Sequence, residues 1–122
     1  MNGTLEETLE AIRKELGTAE NAIRAENHGM ARVCARRAAG VAIAFWLRSN
    51  PRSGWGIDAM NRLRSLQHDE AMPSAVQEAV ARLTSKVTPQ FTSLHSSSPI
   101  DDSRTIIDYL LGLSKGNKPP GT

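Results

Sequence analysis

The 122-residue chain contains a single cysteine, Cys34, and only five aromatic side chains. One cysteine excludes an internal disulfide and suits a reducing compartment, so an intracellular, cytoplasmic protein is expected. With so few aromatics, the core must be built from aliphatic side chains and alanine. The longest uncharged apolar run, Ala38 to Leu47, falls far short of the roughly 20 residues that span a bilayer. No membrane association is expected. The opening MNGTLEETLE is acidic and amphipathic, unlike a secretory signal or an Arg-rich transit peptide. Strand-like alternation, glycine-rich phosphate loops and internal repeats are all missing.

The chemistry-bearing residues are sparse as well. His28, His68 and His95 lie far apart, and none belongs to a metal-binding pattern. The string QHDE, Gln67 to Glu70, offers adjacent donors, but neighbours on a helix point in different directions. No metal site and no cofactor are expected. Cys34 sits among small residues, where a buried inert thiol is the expectation. No serine or cysteine has the partners of an activated nucleophile, and the carboxylates of the first helix read as a solvated face.

What the sequence does have is an uneven charge distribution. The net charge is +2. Residues 1–29 carry −3, whereas residues 30–64 hold seven arginines against Asp58 alone, for +6. Such asymmetry points to an anionic partner surface, nucleic acid included. The alternative is that the first helix neutralises the second across their packing seam.

Hydrophobic spacing predicts five helices. The first runs from Leu5 to about Asn27, with Thr4 and Glu7 forming a capping box and a stripe through Leu5, Leu9, Ile12, Leu16, Ala19 and Ile23. Gly17 marks a kink or a close approach, and Gly29 is placed to end the helix in a left-handed cap. The second, about Met30 to Ser49, reads MARVCARRAAGVAIAFWLRS. Its later turns have no polar face, so it should be the central helix of a bundle, surrounded by the others. Pro51 closes it. A shorter helix follows at about Ile57 to Gln67, with Ile57, Met60, Leu63 and Leu66 spaced by three. Trp55, between two glycines, is read as a plug at the bundle end, with a ligand lid as the alternative. A fourth helix, about Ser74 to Val87, is capped by Ser74. The fifth begins at Pro99, where Asp101 and Asp102 suit the helix dipole. This is an all-α, up-and-down four- to five-helix bundle in one domain, residues 1–114, with a disordered tail at 115–122.

The second helix also carries the candidate site. Arg32 and Arg36 lie about 40° apart on one face and Arg37 about 100° further round. They are candidates to grip phosphates or a nucleotide, with Arg62 or Arg64 nearby, because planar guanidinium forks match phosphate oxygens. The competing reading pairs them with Glu15, Glu20 or Glu26 of the first helix, where exposed pairs add only about 0–1 kcal/mol each.

With these helices in place, the chain resembles the HEPN family (higher eukaryote and prokaryote nucleotide-binding domains) over residues 5–113. The likeness rests on the long amphipathic first helix, on MARVCARRAAGVAIAFWLR, which is similar to the family's basic-then-alanine-rich helix, and on DAMNRLRSL with two further helices after it. The resemblance implies a bundle that forms homodimers and is either a metal-independent ribonuclease of the toxin and defence type or a non-catalytic partner of a nucleotidyltransferase. The ribonucleases of the family carry Arg-x(4–6)-His near the start of the last helix. Here that helix begins PIDDSRTIIDYLL, with Arg104 and no following histidine. The spacing recurs instead in RLRSLQH, where His68 would serve as general base and Arg62 would stabilise the phosphorane. The expected function is therefore a non-catalytic binding module for a nucleotide, RNA or partner protein, using Arg32, Arg36, Arg37 and Arg64. The rivals are the ribonuclease and a dimeric structural scaffold.

Overall fold

The computed structural model describes residues 3–85 and 98–113, which form five helices: α1 (Leu5–Arg24), α2 (His28–Ser49), α3 (Ala59–Gln67), α4 (Ser74–Thr84) and α5 (Pro99–Leu111). No strand occurs among the described residues. The chain is an all-α bundle. The expected end of the fourth helix at Val87, the loop holding His95 and the tail from residue 115 lie outside the described residues.

Helix α2 packs against all four of the others. Ala31, Ala35, Ala38, Ala39 and Ala42 on it are fully buried, and side chains this small let neighbouring backbones come close. Successive helices α1, α2, α4 and α5 alternate in direction. Arg48 near the end of α2 reaches the carbonyl of Gly3, the end of α4 lies beside Arg32 and Arg36 early in α2, and Arg82 late in α4 pairs with Asp102 early in α5. Ile43, Leu63, Leu66, Val76, Val80, Leu83 and Ile106 complete the core. Ser103, also fully buried, donates its hydroxyl to the Ala35 carbonyl at 2.8 Å, which ties α5 to α2 and leaves no polar atom of that side chain unpaired.

Several boundaries differ from the sequence reading. Gly29 lies inside α2 rather than at a left-handed cap. The reversal occurs earlier, where Glu26 takes φ 61° while the Asn27 and Glu26 amides donate to the Ala22 and Ile23 carbonyls. That is a Schellman ending, and Asn27 is then free to cap α2 by accepting from the Met30 amide. A left-handed glutamate is strained by about 1–2 kcal/mol. Glu26→Gly is therefore expected to stabilise the protein by about 0.5–1 kcal/mol, part of the relief being offset by unfolded-state entropy, read as a higher urea midpoint with unchanged slope.

Helix α3 starts at Ala59, not Ile57, because the Asp58 carboxylate accepts from the Asn61 amide at 2.8 Å and stops the helix there. Ile57 is left outside, 86% exposed. Ser74 is the first residue of α4 and supplies no cap; Pro73 holds that position. Gly17 has nothing within 4 Å of where a Cβ would stand, so it marks no close approach.

Trp55 packs against Trp46, with ring centroids 5.9 Å apart, as an end plug would. Arg52 stacks over Trp46 and donates to Asp69 at 2.8 Å, clamping the α2–α3 loop to the α3–α4 turn. The Asp69 carboxylate is held below its usual pKa by that Arg52 bond and by the Ala71 amide. A depressed carboxylate stabilises the fold fully above its unfolded pKa of about 3.9 and loses that contribution as pH falls through the lower folded value. The fold should therefore lose more stability between about pH 5 and 3 than Asp69→Asn does. Acid unfolding followed by the emission of Trp46 and Trp55, the only tryptophans, checks this.

Candidate functional site

The arginines of α2 divide into two groups. Arg32 and Arg36 turn toward the end of α4. Arg36 Nε donates to the Leu83 carbonyl at 2.8 Å, and Arg32 donates to the carbonyls of Arg82 and Ser85. These are the orphan acceptors of a helix C-terminus, where a cation also meets the negative end of the dipole. Burial lowers the pKa of both, with Asp102 opposing the shift at Arg32, and Arg32 and Arg64 adding to it at Arg36. Guanidinium groups remain charged through such shifts. Arg82 in turn pairs at 3.0 Å with Asp102, which is 4% exposed. The collar is already matched to partial negative charge, and a phosphate placed there would meet the carbonyl end of α4.

Neither Arg32 nor Arg36 pairs with an acid of α1. Among the described residues no ion pair joins α1 to α2; Glu20 is bound by Arg104 of α5 and Glu10 by Arg13. Arg32 and Arg36 thus cap α4 in place of the expected pairs with α1.

The second group faces a groove of about 560 Å³ between α1, α2 and α3. Its floor is Gly40, Val41, Ala44 and Phe45 of α2, and its walls include Thr8 and Glu15 on one side and Ile57, Ala59 and Arg62 on the other. Arg37 enters it exposed and makes no hydrogen bond or ion pair among the described residues. Arg62 uses Nε on the Gly56 carbonyl at 3.2 Å, which orients the fork. Arg48 donates to the Gly3 carbonyl at 2.5 Å and lies 4.6 Å over the Phe45 ring. Three guanidiniums thus face one carboxylate, Glu15. That carboxylate sits close to Cys34, whose pKa is raised by burial and by Glu15, with Arg37 pulling the other way. The thiol is buried and stays protonated.

The groove exists because α2 is central without being enclosed. Val41, Ala44, Phe45, Trp46 and Leu47 are all only half-buried, which corrects the expectation of a helix wrapped on every side. Of the candidate residues, the groove collects Arg37 and Arg62, the collar takes Arg32 and Arg36, and Arg64 stays exposed near Arg36. His68 is the exposed C-cap of α3 and does not line the groove. Six residues on a helix place it about 120° round the axis from Arg62. Arg48 is not among the sequence candidates, and the sequence places Ile57 on the apolar stripe of the third helix rather than in a site. The signal for Arg48 was its spacing of eleven from Arg37, three turns along the same face.

Among the described residues no three His, Cys, Asp or Glu side chains converge as a metal site would require, and no helix is long and apolar enough to cross a membrane. No protein-family model, curated protein or solved structure matches this chain.

Proposed function

We propose that this chain is a non-catalytic, HEPN-like binding module that holds an anionic ligand in the groove between α1, α2 and α3. The observation that carries the reading is Arg37, unpaired and exposed in a groove it shares with Arg48 and Arg62, against one acid. Cations that hold no ion pair with a carboxylate and converge over an apolar floor supply both attraction and orientation for an anion. The collar of Arg32 and Arg36 has a structural role in this reading. The homodimer that the HEPN likeness implies, and the cytoplasmic location that a lone cysteine suits, belong to the same proposal.

Retention on immobilised heparin, a general polyanion, tests it. Arg37→Ala and Arg62→Ala should each elute at clearly lower salt than the parent. Arg104→Ala, which removes the same charge from α5, should shift elution much less, because screening confines the effect to nearby charges. Equal shifts in all three variants would mean a diffuse charge effect and would defeat the groove.

A further inference from the structure

We infer that the occupant of the groove is an acidic amphipathic helix of a partner protein, which lies along the open face of α2. This deepens the anion-binding reading above and rests on it.

The face is longer than the groove itself. Met30, Val33, Arg37, Val41, Ala44 and Arg48 fall within about 80° of one another around α2 and extend over about 27 Å. Met30 and Val33 are 43% and 37% exposed, and Val41 and Ala44 are half-buried. An aliphatic stripe on the central helix of a bundle, at steps of three and four, is the pattern by which one helix packs on another. Helices α1 and α3 flank it without touching each other, so among the described residues no helix fills the sector between them. Exposed Ile57 stands at its edge.

Charge fixes the chemistry of the occupant. Arg37 and Arg48 lie on the stripe about 16 Å apart, Arg62 rises from the α3 side, and Glu15 is the one acid in the lining. A helix with leucine-like side chains on one face and carboxylates on its flanks satisfies both the floor and the rim. Nucleic acid satisfies the rim alone. Single strands are held by stacking of bases on aromatic rings, and the one aromatic in the lining, Phe45, is already covered by Arg48.

The test uses the full chain and three labelled probes of equal charge, followed by fluorescence anisotropy. One is a 21-residue peptide with leucines at helical spacing and glutamates on both flanks, the second is its scrambled isomer, and the third is a single-stranded RNA. The helical peptide should bind at least about tenfold more tightly than the other two. Arg37→Glu and Arg62→Glu should each weaken it about tenfold or more. Met30→Ser and Val33→Ser change exposed side chains outside the groove lining; they should weaken it about fivefold without altering heparin retention. Equal binding of the scrambled peptide, or preference for RNA, would overturn the helix and leave the anion-binding groove standing. Heparin retention indifferent to Arg37→Ala and Arg62→Ala would remove the groove reading and this inference together.

Discussion

Leu63→Ala is expected to lower the unfolding free energy by about 2–5 kcal/mol, the cost of deleting a large side chain that cannot be refilled. Helix α3 has nine residues, fewer than an isolated helix needs to persist in water. It is held by Leu63 and Leu66, both at 0% exposure. With a total stability of about 5–15 kcal/mol for a domain, the loss is a large share of what there is. Urea unfolding should show a lower midpoint with an unchanged slope. Because α3 also positions Arg62, the folded variant should leave heparin at lower salt than the parent. Met60→Ala, at a half-buried position on the same helix, should cost much less. A loss under about 1 kcal/mol for Leu63→Ala would mean that α3 shifts inward to close the cavity.

Gly40→Ala is expected to destabilise by about 1–3 kcal/mol, although alanine in place of glycine inside a helix normally gains about 1 kcal/mol. The reason is local. A Cβ on Gly40 would stand 2.9 Å from the Ala59 Cβ and 3.2 Å from its Cα. The second contact is backbone, so α3 itself would have to move, and with it the wall of the groove. Ala59→Gly removes the closer of the two contacts and should recover part of the loss, and the double-mutant cycle should give a coupling of about 1 kcal/mol or more. Gly17→Ala is the matched control: with nothing within 4 Å, it should stabilise by about 1 kcal/mol. If both glycine substitutions stabilised, the approach of α3 to α2 would be looser than this geometry requires.

The five helices were legible because each has its own local signal. The Thr4–Glu7 capping box forms as its spacing suggests, with bonds of 3.0 and 3.1 Å, and Pro99 opens α5 behind a Ser98 cap. Boundaries slipped where two local signals competed. At the α1–α2 turn a glycine was available for the left-handed residue, yet Asn27 caps α2 and so forces that conformation onto Glu26. At α3 the Asp58 cap outweighed the apolar spacing that begins at Ile57.

The candidate site was legible only as a composition. Seven arginines between residues 30 and 64 are visible to anyone who counts, but their fates depend on what each one meets. Arg36 and Arg37 are neighbours in the chain; one caps α4, 47 residues away, and the other is left without a partner among the described residues.

The sequence by itself determined that the chain is all-helical, that α2 is its central strut and that cations gather on that strut, because periodicity, capping and charge are properties of short segments. Tertiary structure alone decided which arginines are consumed and where α2 stays open. Both depend on the end of α4 reaching Arg32 and Arg36, and on α1 and α3 standing apart on either side of Val41. Those are distances between segments far apart in the chain, and no local pattern encodes them.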